Sequence, residues 1–88
     1  MTINNIGDLA TYLGTTVDRL ERDVYKYTEC GAWIHWTEKE VTVGSIVEGS
    51  DAEFSYRLAF PFTDIDYDYT LGCLEQLVDE AWHEANDD

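Results

Sequence analysis

From Thr63 to Asp88, apolar residues return at helical spacing beneath a run of negative charge that no lysine or arginine interrupts. Few folds satisfy both. At about 100° per residue, Tyr67, Leu71, Leu74, Leu77, Val78, Ala81 and Ala85 fall within an arc of roughly 120°, the width of a stripe that faces a core. Thr63-Asp64-Ile65-Asp66 reads as the helix start. Thr63 can accept from the amide of Asp66, and acids suit the positive end of the helix dipole. Pro61 keeps this helix apart from the strand before it. Asp64, Asp68, Glu75 and Asp79 gather within roughly 60° of one another beside the stripe, with Trp82 at its margin. Asp66, Glu80 and Glu84 lie on the far side. Like charges four residues apart cost a helix roughly 0.2–0.5 kcal/mol each, so the row works against the element that carries it.

The rest of the chain supplies what the stripe must cover. Trp33 to Thr37 alternates, Val41 to Val47 is β-branched, and Phe54, Tyr56, Leu58 and Phe60 alternate with Glu53, Ser55, Arg57 and Ala59. Glu38-Lys39-Glu40 and Glu48-Gly49-Ser50-Asp51 read as the intervening turns. This predicts an antiparallel meander facing inward through Ile34, Val41, Val43, Phe54, Tyr56, Leu58 and Phe60. Ahead of it, Ile3, Ile6, Leu9, Ala10 and Leu13 have helical spacing, Gly14 interrupts, and Thr15-Thr16 opens a second helical face of Val17, Leu20, Val24 and Tyr27. The expected fold is a single α+β domain over residues 1–88: an N-terminal helical segment, a three-stranded antiparallel meander, and a long acidic C-terminal helix packed on one face of the sheet.

Charge narrows the function. The net charge is −14, and residues 58–88 carry nine acids and no base. Hydrophobic residues at 44% separate the chain from disordered acidic tails, which lack the apolar surface to fold. Such a field repels nucleic acid and anionic membranes and attracts basic protein surfaces over roughly 8–10 Å. Neither direct nucleic-acid binding nor a membrane partner is expected. The first ten residues have no signal-peptide pattern and no apolar run reaches roughly 18 residues, so a cytoplasmic protein is expected, with Cys30 and Cys73 as reduced, mostly buried thiols.

Several chemical readings compete. The segment DLATYLGTTVDRLERDV has helix-turn-helix spacing, but Asp18, Glu21 and Asp23 cancel Arg19 and Arg22 on the helix that would read DNA. Asp64, Asp66, Asp68 and Glu75 match the acidic positions of a calcium loop, yet Tyr69 stands where the turn needs glycine, so no metal or other cofactor is expected. Cys30 with His35 and Cys73 with His83 lack the proximity of a nucleophile and its base, so no catalytic residues are assigned.

Binding remains. Spaced carboxylates on a rigid element can occupy arginines and lysines that a DNA-handling protein holds for phosphates. The expected contact set is Asp64, Asp66, Asp68, Glu75, Asp79 and Trp82, extended by Glu48, Asp51 and Glu53 around the second turn. Tyr67 and Tyr69 are further aromatic anchors. A homodimer through the apolar helix margin is the other arrangement this pattern permits.

The stretch VGSIVEGSDAEFSYRLAFPFT, followed by a helix ending LVDEAWHEAN, resembles small acidic proteins of phages and mobile elements over about half the chain. The overall plan is similar to that of anti-CRISPR proteins that mimic DNA and occupy the DNA-binding surface of Cas9. The acidic uracil-DNA glycosylase inhibitor offers a parallel in size and charge with a different layout. The resemblance implies a non-enzymatic inhibitor of a CRISPR effector or another nucleic-acid-binding defence protein, and it assigns no individual residue a role. A helix-turn-helix-like regulator and an acidic scaffold or dimerising protein are the alternatives.

Overall fold

The computed structural model describes residues 1–86, so Asp87 and Asp88 of the acidic run lie outside the described residues. Strand β1 (Thr2–Ile3) leads into helix α1 (Ile6–Tyr12), helix α2 (Val17–Arg22) and a 3-10 turn (Val24–Tyr27). Strands β2 (Trp33–Trp36), β3 (Glu40–Ile46) and β4 (Glu53–Ala59) follow, then the short strand β5 (Phe62–Thr63) and helix α3 (Asp64–Asn86). The sheet order is β2-β3-β4, antiparallel throughout, as the alternation predicts. Val41 pairs with Leu58 and with Trp36, and Val43 with Tyr56 and Ile34, so these residues share one face. Against that face lies α3.

Local chemistry explains the boundaries. Thr63 Oγ1 accepts from Asp66 N at 3.1 Å, and Asp66 Oδ2 accepts from Thr63 N at 3.3 Å, a reciprocal cap at the predicted start of α3. Asn5 caps α1 by accepting from Asp8 N at 2.9 Å. Gly14, at φ +73°, turns the chain out of α1, and Thr16 caps α2. The apolar face expected to continue from Val17 to Tyr27 is broken: α2 ends at Arg22, and Val24 to Tyr27 tighten into the 3-10 turn. Six residues of α2 amount to roughly 9 Å of helix.

Two expectations need correction. Ile3 is not the first residue of a helical stripe. It pairs with Phe62, and Thr2 pairs with Thr63, so β1 and β5 form a separate two-stranded ribbon that ties the start of the chain to the start of α3. Side chains alone conceal this, because an isolated apolar residue carries no period. The stripe of α3 is also covered over only part of its length. Tyr67, Leu71 and Leu74 are buried, Leu77, Val78 and Ala81 are half-buried, and Ala85 is exposed. A helix of 23 residues runs roughly 34 Å, while the molecule measures 44 × 23 × 19 Å, so the last turns of α3 overhang the sheet.

Tyr67 anchors the inner half of α3. Its ring meets Tyr12 edge-on at 6.3 Å and stacks with Phe62 at 6.4 Å, and its hydroxyl donates to the Tyr27 carbonyl at 3.4 Å. At 1% exposure it belongs to the core and cannot serve as a partner anchor. Burial, and then the neighbouring Asp68 charge, push its phenol well above the ordinary value. The unfolded chain releases that proton near pH ~10, whereas the folded chain holds it longer, so above ~10 the folded state binds more protons and stability falls with pH. Urea unfolding between pH 9 and 11.5 is expected to show a loss approaching about 1.4 kcal/mol per pH unit from Tyr67 alone. Tyr67→Phe should flatten that slope, and an equally steep fall in the variant would exclude Tyr67 as its source.

Candidate partner-binding groove

The structure divides the predicted contact residues into two groups. Those on the first turns of α3 already have intramolecular partners. Asp64 Oδ1 accepts from the Met1 ammonium at 3.0 Å, which holds its carboxyl below the usual carboxylate range. Asp66 is consumed by the cap with Thr63. Asp68 Oδ2 accepts from the Tyr12 hydroxyl at 2.8 Å, a bond that pushes the Tyr12 phenol up. These three acids fasten α3 to β1, β5 and α1. They also sit on helix, where the backbone cannot wrap an ion as a calcium loop does, and no three metal-binding side chains cluster among the described residues.

Glu48, Glu75, Asp79 and Trp82 come together instead. They line one groove of ≈ 350 Å³ between α3 and the end of β3. Val47, fully buried, anchors the turn after β3 and sets Glu48 at the rim. From α3, Glu75, Val78, Asp79 and Trp82 arrive at spacings of three and four, on the side of the helix that leaves the core. Trp82 is 41% exposed, and Ile46, also in the lining, is 63% exposed. Asp79 lies 3.6 Å from His83 Nε2, one turn on. Among the described residues no lysine or arginine forms an ion pair with any carboxylate. Asp51 and Glu53 are exposed in and just after the β3–β4 turn and do not line the groove.

Sequence reasoning missed the opposite wall, made of Cys30, Gly31, Ser45 and Ile46. Thr28 shapes it: its hydroxyl donates to the Ala32 carbonyl at 3.0 Å and accepts from the Ala32 amide at 2.9 Å, closing a loop in which Gly31 adopts φ +63°. The Gly31 beside Cys30 was the one available signal for a tight loop there. Cys30 and Cys73 are free and half-buried rather than buried. Burial pushes the Cys30 thiol up, which keeps it protonated and a poor nucleophile. His35 is exposed on β2, away from the groove lining.

The arrangement presents three carboxylates beside Val78 and Trp82, suited to meeting a cation that brings a hydrocarbon stem. No helix among the described residues is long and apolar enough to cross a membrane. In comparisons with known proteins, no family model, no curated protein and no solved structure matches the chain.

Proposed function

We propose that the protein is a non-enzymatic inhibitor of a bacterial nucleic-acid-binding defence protein, with a CRISPR effector such as Cas9 as the first target to test, and that it acts by acidic DNA mimicry on a basic DNA-binding surface. The observation that carries this reading is the uncompensated charge of the outer half of α3. Glu75, Asp79, Glu80 and Glu84 fall within ten residues, four carboxylates over roughly 14 Å of helix axis, Glu75 and Asp79 on the groove side and Glu80 and Glu84 on the far side. A single DNA strand carries one charge per about 3.4 Å, a linear density of the same order. The target class comes from the similarity of the overall plan to that of anti-CRISPR proteins, beside the resemblance of the segment from Val43 to the end of α3 to small acidic proteins of phages and mobile elements.

The test is displacement of target DNA from the guide-loaded effector by increasing protein, followed by fluorescence anisotropy. Displacement is expected, with an affinity that falls by at least about tenfold between 50 and 200 mM salt. Unchanged DNA binding at saturating protein would overturn the reading. Displacement indifferent to salt would favour an acidic scaffold or dimerising protein, for which the exposed Ile65 (75%) and Tyr69 (73%), one turn apart on α3, are the supporting observation.

A further inference from the structure

We propose that the groove between α3 and the end of β3 receives an arginine side chain from the partner, its guanidinium held among Glu48, Glu75 and Asp79 and lying against the indole of Trp82. The inference rests on the proposed function for the origin of that arginine, one that the partner otherwise pairs with phosphate. The groove supplies its chemistry.

Three features select the occupant. First, the walls hold three carboxylates from two separate elements, and no basic residue lines the groove. A cation from outside is the complementary charge. Second, Val78 and Trp82 line the groove beside the carboxylates, with apolar surface for a methylene stem and an aromatic ring for a flat cation. Third, Ser45 is buried to all but 4%, lines the groove, and makes no side-chain hydrogen bond with another described residue. Among the described residues no fully enclosed side-chain polar atom is left unpaired, so the Ser45 hydroxyl is reachable from outside, and its place in the lining makes it a ready acceptor in the groove.

Arginine fits these features better than lysine does. Its planar guanidinium presents donors in a fork that can bridge two carboxylates, stacks on aromatic rings, and gives up hydration more readily than an ammonium. A cation of that shape uses the indole and the acids together. Lysine can satisfy the charge, but not the stacking and the bridging at once.

The test is a titration of the ¹⁵N-labelled full chain with the peptide acetyl-Gly-Arg-Gly-Arg-Gly-amide and with its lysine counterpart at 50 mM salt. Saturable shifts are expected at the Trp82 indole N–H and the amides of Glu48, Glu75 and Asp79, with the lysine peptide weaker by about tenfold. Trp82→Ala, at an exposed position, should erase the preference for arginine. Glu80→Gln with Glu84→Gln, outside the groove, should leave it intact. Equal affinity for the two peptides, with shifts spread along every carboxylate of α3, would overturn the proposal, as would silence of the groove resonances. The titration contains no effector, which separates the two readings. A silent groove beside intact DNA displacement defeats the arginine seat alone, and a responsive groove beside undisturbed DNA defeats the mimicry alone.

Discussion

Replacing Glu75 and Asp79 together by lysine is expected to weaken displacement of DNA from the effector by at least about 100-fold, because each carboxylate that met a cation becomes a like charge against it. The effect should be specific to the groove. Both residues are exposed and neither pairs with a lysine or arginine, so the substitutions remove no buried contact and should change stability by no more than roughly 0.5 kcal/mol. Asp68→Asn is the control, since that carboxylate is on the same strip of the helix yet already accepts from Tyr12. It should reduce displacement by less than about threefold, within what loss of one rim charge accounts for. If Asp68→Asn costs as much as the lysine pair, the contact lies on the first turns of α3 rather than in the groove. Circular dichroism and thermal unfolding of each variant distinguish lost binding from lost fold.

Gly44→Ala is expected to destabilise the protein by about 2–3 kcal/mol, a fall in Tm of roughly 10–20 °C for a chain of this size. Gly44 is in the central strand opposite Trp33, whose indole lies across it on the outer face of the sheet. A Cβ there would overlap the Cζ2 and Cε2 carbons of the Trp33 ring and stand 2.9 Å from the Phe54 carbonyl oxygen. The ring could swing aside, but the carbonyl belongs to a paired strand and cannot. Alanine's conformational advantage over glycine, roughly 0.5–1 kcal/mol, is too small to compensate. Trp33→Ala in the same chain should recover part of the loss by removing the ring. A neutral Gly44→Ala would mean that the Phe54 carbonyl does not approach this position so closely.

Much of the fold was legible in the sequence because it depends on periods. The alternation of Phe54, Tyr56 and Leu58 with Glu53, Ser55 and Arg57 appears in β4 as half-buried against exposed positions, and the register places Tyr56 and Leu58 on the face of Val43 and Val41. Thr63 with Asp66 marked the start of α3 to the residue. The ribbon of Thr2 and Ile3 with Phe62 and Thr63 was not legible, since two residues are too few for a period and their partners lie some sixty positions away.

The site was half legible. Helical spacing placed Glu75, Asp79 and Trp82 on one strip with Asp64 and Asp68, and a helical wheel treats all five alike. Tertiary structure separates them. The inner turns of α3 lie against α1, β1 and β5, whose Tyr12 hydroxyl and terminal ammonium take up Asp68 and Asp64, while the outer turns run beside the end of β3 and meet Glu48 with their acids paired to no lysine or arginine and Asp79 facing only His83, one turn on. The sequence by itself determined the elements, their faces and the excess of negative charge, because local periodicity and composition suffice for those. Which carboxylates remain free to meet a partner was decided only by the fold, because a hydrogen-bond partner supplied from a distant part of the chain is invisible to any local pattern.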